Sequence, residues 1–225
     1  MIKAVIFDID GTLVDSVDLH THAWQEAFAH FGKNIEYEAI RSQVEKGGDQ
    51  LIPVFLSKQA QERFGKELDE YRGQLFKSKY LSKVKPFPRL RELVQCVTDD
   101  GKQVALASSA KEDEVEIYKR IAHIDNLIEK QTSSDDAEKS KPHPDIFEAA
   151  LQQLRNVQPE EAVTVGDSPY DAIAAKKLNM SSVGVLSGGF PDKDLRAAGY
   201  SEIYRDCADL LEKYQRSMIA SRKAA

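Results

Sequence analysis

A chain of 225 residues, 41% hydrophobic and 30% charged, can bury one core of ordinary size with room for a small second lobe, and is too apolar to be disordered. Its formal net charge of -6 argues against a general nucleic-acid or membrane-surface binder, which needs clustered Lys and Arg. A small phosphorylated ligand stays open, because a metal ion and a well-placed lysine can reverse the sign locally.

The first apolar run, "IKAVIF" (Ile2 to Phe7), predicts a strand, and it leads directly into "IFDIDGTLVDS" (Ile6 to Ser16). That run ends in Asp8 and Asp10 rather than at a small-residue cleavage site, so it is not a secretion signal. No apolar run reaches the roughly 18 residues of a membrane span. Cys96 and Cys207 lie far apart without a CxxC partner, which fits reduced thiols and a cytoplasmic protein.

From Val17 to about Lys83 only helical patterns occur: Leu19, Ala23, Ala27 and Phe31 make one stripe, and Leu68, Tyr71 and Leu75 another. "KVKPFPR" (Lys83 to Arg89) follows, its two prolines marking a hinge. Helix and strand then alternate. Helices are predicted over Arg89–Thr98, Glu112–Ala122, Pro144–Leu154, Asp171–Leu178 and Cys207–Gln215. Strands are predicted at "VALAS" (Val104 to Ser108), "AVTV" (Ala162 to Val165) and "SVGVL" (Ser182 to Leu186), with weaker ones at Asn126–Lys130 and Glu202–Arg205. Thr132 to Asp145 is a polar loop, and the basic end Ser221–Ala225 is expected to fray. Continuous rather than alternating apolar strands are covered on both faces. The expected fold is therefore α/β: a Rossmann-like parallel sheet with helices on both faces, built from residues 1–15 and 84–225, with an inserted all-helical cap domain at 16–83.

Ligands of open parallel sheets bind outside the carboxyl ends of the strands. Asp8 and Asp10 stand at such an end, two apart and so on one side, about 6.6 Å from each other along an extended chain. Two carboxylates that close repel, and Mg²⁺, which prefers oxygen ligands, removes the penalty. Gly11 permits a tight turn next to them. Ser108 and Ser109 end another strand just before a helix, where hydroxyls and free amides cradle phosphate. Lys141 lies in the loop before a helix, and "VTVGDSPYD" puts Asp167 at a strand tip and Asp171 at a helix start. Asp8, Asp10, Asp167 and Asp171 bring four negative charges, against three positive ones from Mg²⁺ and Lys141. Protonating one carboxyl nearly balances the site, which suits an acid acting as proton donor.

The ordered set "DIDGT", Ser108, Lys141 and "GDSPYD" resembles the haloacid dehalogenase-like hydrolase superfamily, and the helical insertion resembles its subgroup of phosphoglycolate phosphatases and β-phosphoglucomutases. The resemblance implies Asp8 as the nucleophile that becomes an aspartyl phosphate and Asp10 as the acid and base. It also implies Mg²⁺ held by the Asp8 side chain, the Asp10 main-chain carbonyl and Asp167, with Asp171 in support. Ser108 and Lys141 would hold the transferring phosphoryl, with the Ser109 amide beside them. His20 is a candidate contact near the leaving group and Lys46, in "EKGGDQ", a candidate substrate contact; His20 and His22 are two apart on a helix and do not face one another, so "HTHAW" is not read as a metal site.

The leading reading is thus a Mg²⁺-dependent phosphatase acting on a small phosphomonoester, phosphoglycolate or sugar phosphate-like, as a monomer or homodimer. A dehalogenase or a phosphonoacetaldehyde hydrolase has no use for Asp10. The alternative is a β-phosphoglucomutase-like phosphosugar mutase, but such mutases usually carry Glu immediately before the acid matching Asp167, where this chain has Gly166. A catalytically silent binding protein on the same scaffold ranks last, since every expected group is present.

Overall fold

β1 (Ala4–Phe7) is apolar and buried at all four positions, which fits it for the middle of a sheet. In this computed structural model, which describes residues 1–220, it takes that place; the basic end Ser221–Ala225, expected to fray, lies outside the described residues. After β1 come β2 (Val14–Asp15), the helices α1 (Val17–His30), α2 (Tyr37–Arg41), α3 (Gly48–Phe55) and α4 (Lys58–Leu75), and β3 (Lys85–Pro86). Helix and strand then alternate through α5 (Leu90–Asp99), β4 (Gln103–Ala107), α6 (Glu112–Ile121), β5 (Lys130–Thr132) and α7 (Asp145–Gln153). The chain continues through β6 (Ala162–Gly166), α8 (Pro169–Lys177), β7 (Ser181–Val185), α9 (Asp192–Ala198), β8 (Glu202–Tyr204) and α10 (Cys207–Glu212).

The described residues form a six-stranded sheet in the order β5-β4-β1-β6-β7-β8, with every pairing parallel. Alternate side chains of β1 serve opposite faces. Val5 and Phe7 join a core with Leu93 and Val97 of α5, Val115 of α6 and Leu210 of α10. Ala4 and Ile6 join a second core with Phe147 and Ala150 of α7 and Ala174 of α8. The strand order reverses at β1, between β4 and β6, and this is where such sheets open a crevice at their carboxyl ends.

α1 to α4 bury a third cluster of their own, including Trp24, Phe28, Ile40, Leu51 and Leu68. α4 begins at Ser57, whose Oγ accepts from the Ala60 amide at 3.3 Å. It passes into a π-helical turn, Phe76–Tyr80, and a 3₁₀ turn, Leu81–Lys83. The chain leaves and re-enters the sheet layer through one antiparallel ribbon, Val14 opposite Pro86 and Asp15 opposite Lys85. No helix among the described residues is long and apolar enough to cross a membrane.

Several elements differ from expectation. The weak strand expected at Asn126–Lys130 lies at Lys130–Thr132, because Ile124 and Ile128 are drawn into the core through a turn and pairing with β4 starts only at Lys130. α8 starts two residues before Asp171, at Pro169, because Ser168 caps it in a reciprocal box with Asp171. α9 has a single buried apolar residue, Leu195, and its charged sequence carries no stripe to announce it.

Candidate active site

Parallel pairing sets Phe7 beside Val165, so the residues that follow, Asp8 and Asp167, emerge in the same neighbourhood at the sheet edge. The Asp8 amide still donates to the Val165 carbonyl at 2.9 Å. The chain then turns sharply, with the Ile9 carbonyl accepting from the amides of Thr12, Leu13 and Val14. Gly11 makes that turn at φ 70°, and a Cβ there would lie 2.7 Å from Asp167 Cγ and from Val17 Cγ2. Thr12 Oγ1 donates to Asp167 Oδ1 at 3.0 Å.

Lys141 is fully buried and joins the elements together. Its Nζ donates to Asp8 Oδ1 and forms an ion pair with Asp171 Oδ1 at 2.7 Å. Asp171 is itself oriented by its capping box, accepting from Ser168 Oγ at 2.6 Å and from the Ser168 amide at 3.2 Å. Asp171 therefore stands behind Lys141. Ser108 is buried with its Oγ accepting from the Ala110 amide at 3.0 Å, so its hydroxyl shapes the loop. Ser109 lines the cavity, and its Oγ has no hydrogen-bond partner among the described residues.

From the helical insertion, Ser16 Oγ donates to Asp10 Oδ1 at 2.5 Å, and His20 Nε2 lies 3.1 Å from the same oxygen and 3.0 Å from Tyr118 Oη. The His20 ring is stacked on Phe76 with centroids 3.8 Å apart, which fixes its plane. His22 points elsewhere, toward the rings of Tyr37 and Tyr80. Lys46 lines the cavity, but its Nζ is engaged by Gln43 Oε1 at 2.5 Å and sits 4.7 Å above the Tyr170 ring.

Asp8, Asp10, His20, Lys46, Ser109 and Lys141 line one small cavity of about 40 Å³ that opens to solvent. Three of its residues carried no sequence signal of their own. Glu45 is buried beside Asp8 and Asp167, although an acid in a helix connection is ordinary. Arg72 packs its guanidinium 4.8 Å over Trp24; its place on the stripe of Leu68 and Leu75 is the one hint. Glu114, in the first turn of α6, reads as an acid at a helix start.

Acids outnumber the lysine, and the charges show it. Burial pushes the Asp8 carboxyl up to about 7, with Asp171 and Asp10 adding to the rise against the pull of Lys141. Asp167 and Glu45 are raised well above the carboxylate range, first by burial and then by the neighbouring acids. Lys141 is held protonated despite its burial, because Asp171 and Asp8 face it. Asp10 alone goes the other way: burial opposes its charge, but His20, Ser16 and Lys141 together hold it below the usual range.

The residues suit a hard divalent cation. Asp8 and Asp167 each have one carboxylate oxygen engaged, by Lys141 and by Thr12, and each keeps a buried Oδ2 with no hydrogen-bond partner among the described residues. One oxygen from each of Asp8, Glu45 and Asp167 lies within 4.8 Å of the others. Three carboxylate oxygens gathered that closely could converge on one oxygen-preferring cation.

Comparison with known proteins identifies the family. A phosphorylated carbohydrates phosphatase of Thermotoga maritima is 27% identical over 202 residues, covering 88% of this chain and 91% of its own. A pyrophosphatase PpaX of Anoxybacillus flavithermus is 26% identical over 186 residues, 82% of this chain and 83% of its own. The crystal structure of a hydrolase from Pseudomonas syringae superposes with a TM-score of 0.87 at 28% identity, covering 97% of this chain and all of that one. The family profile described as haloacid dehalogenase-like hydrolase matches residues 5–185, from β1 through β7. The chain belongs to the haloacid dehalogenase-like hydrolase family.

Proposed function

We propose that this hydrolase is a Mg²⁺-dependent phosphatase acting on a small phosphomonoester through an aspartyl phosphate on Asp8. In this reading residues 16–83 form a cap over a catalytic core of 1–15 and 84–225. The observation that carries it is the sharing of one small cavity by Asp8, with a free Oδ2, and Asp10, bonded to Ser16 and His20.

Lys141 holds the Asp8 carboxylate in place through Oδ1, which fixes its orientation for attack on phosphorus. The negative charge of a bound phosphoryl group beside Asp10 opposes its ionisation and lets it carry a proton in the substrate complex. Attack then forms the Asp8 O–P bond as the P–O bond to the leaving group breaks, and Asp10 gives that proton to the departing oxygen. His20 and Ser16 orient the Asp10 carboxyl for that transfer. Asp10 then takes a proton from water, whose oxygen attacks phosphorus. The Asp8–P bond breaks, inorganic phosphate leaves, and both acids return to their starting state. Ser108 shapes the loop, while the Ser109 hydroxyl and amide, with Lys141, face the phosphoryl oxygens. Mg²⁺, held by Asp8, Asp167 and the Asp10 main-chain carbonyl with Asp171 in support, would neutralise charge on the acids and the phosphoryl group.

The activities named for the relatives from Thermotoga maritima and Anoxybacillus flavithermus support a small phosphorylated metabolite as substrate. The mutase reading loses ground at Gly166, where even a Cβ would lie 2.6 Å from Asp171 Cγ and the expected Glu has no room. Phosphate release from a panel of phosphorylated metabolites, with and without chelator, tests the proposal. Asp8→Asn should lower turnover about 10³-fold or more. Wild-type turnover by that variant would refute the mechanism.

A further inference from the structure

We infer that Glu45 is a ligand lent by the helical insertion to the cation site, so that cation binding draws the insertion shut over the sheet edge. This rests on the cation-dependent reading above and deepens it. Asp8 and Asp167 follow β1 and β6, whereas Glu45 lies between α2 and α3, on a different part of the molecule. All three nonetheless bring an oxygen within 4.8 Å of the others.

The surroundings of Glu45 give it no reason to be there on its own account. It is buried, and the charged groups acting on it most strongly are Asp167, Asp8, Asp10 and Asp171, all acids. A carboxylate loses hydration on burial and gains only repulsion from such company. A divalent cation among the oxygens turns each repulsion into ligation. The unpartnered Oδ2 atoms of Asp8 and Asp167 point independently to a missing ligand, since both residues are at least nine-tenths buried.

Delivery of Glu45 requires the insertion to be seated. On one side of it, Tyr170 Oη of α8 donates to the Ser42 carbonyl at 2.6 Å. On the other, the Ser140 amide donates to Asp49 Oδ2 at 3.1 Å. With both contacts made, Glu45 reaches the acids; when the insertion swings away, the site keeps only the ligands of the sheet edge. A cation that gains a ligand in the closed state shifts the population toward it, and closure raises cation affinity by the same factor.

Calorimetric titration of the full chain with Mg²⁺, together with hydrogen exchange of the amides at 42–49, tests this. The wild type should bind Mg²⁺ and show slower exchange there when it is bound. Glu45→Gln should weaken Mg²⁺ binding about 10-fold and abolish the protection. Glu45→Asp, which keeps the charge but withdraws it by one methylene, should do the same. Unchanged affinity and protection in Glu45→Gln would overturn the inference, as would wild-type affinity in Glu45→Asp, which would mean a long-range charge effect. In the absence of Mg²⁺ Glu45→Gln, which removes only repulsion, should melt at or above the wild type, and Glu45→Asp no lower; a lowered melting temperature would mean a packing role and overturn it too. Asp167→Asn separates the two readings. If it loses Mg²⁺ binding while Glu45→Gln keeps it, only the role of Glu45 falls. If the wild type binds no Mg²⁺, the cation-dependent reading falls with it.

Discussion

Lys141 carries the electrostatic balance of the site, because it is the lysine paired with both Asp8 and Asp171 where all three side chains are buried. Lys141→Met keeps roughly the volume and the packing on Phe147 but leaves two buried acids without their cation. Removing one partner of a buried ion pair typically costs about 3–5 kcal/mol. Urea denaturation without Mg²⁺ should show a loss of that order, and an unchanged midpoint would mean that the acids are neutral and the pair contributes nothing. The sequence marked Asp8, Asp10, Asp167 and Asp171 by their places at strand ends and a helix start, and Lys141 only by its place in the ordered set; the structure brings Lys141 against Asp8 and Asp171. The division of labour among them was not legible. Which carboxylate Lys141 touches depends on the crossover that brings β6 beside β1, and Glu45 shows no local pattern at all.

Among the elements, strands buried on both faces were the easiest to read, since β1, β4, β6 and β7 are continuous apolar runs that alternate with helices. β2 and β3 were illegible, each being two residues held by the other across the whole insertion. α10 was legible at its start, and its chemistry explains why so short a helix holds. Asp206 caps it, accepting from the Asp209 amide at 2.8 Å. Burial opposes the charge of Asp209, but hydrogen bonds from Lys213 and from the amide and guanidinium of Arg205 outweigh it and pull its carboxyl down to about 2. A depressed carboxyl contributes stability above its unfolded pKa and loses it as pH falls through the folded one. Asp209→Asn should therefore be less stable than wild type near neutral pH, with the gap closing between about pH 4 and pH 2. Because Arg205 and Lys213 are largely exposed, screening limits the difference to about 1 kcal/mol. Denaturation midpoints of the two proteins across that range check it, and a constant gap would mean that the hydrogen-bond geometry, not the charge, matters.

At the scale of the whole molecule, the question is what seats the helical insertion on the sheet edge, which no local pattern could announce because every contact joins distant parts of the chain. Arg41 donates to the Gly188 carbonyl and lies 5.8 Å from the centre of the Phe190 ring, Asp49 accepts from the Ser140 amide, and Tyr170 donates to the Ser42 carbonyl. The β2–β3 ribbon is the covalent tether between the two parts; Ala23, Phe76 and Tyr80 of the insertion pack into the core shared with α5 and α6, and these polar contacts, with His20 at Asp10 and Lys77 at Asp113, add to that packing. Tyr170→Phe removes one of them while leaving the ring under Lys46. A neutral hydrogen bond contributes about 1 kcal/mol, enough to shift a two-state balance about fivefold. The variant should open more often: amides at 42–48 should exchange about fivefold faster while amides of β1 and β6 keep their rates, and KM should rise with global stability little changed. Equal acceleration in the sheet would signify loss of the fold rather than of closure. Unchanged exchange at 42–48 would mean that the Tyr170 hydroxyl does not help hold the insertion down, leaving Arg41, Asp49 and the cation to do so.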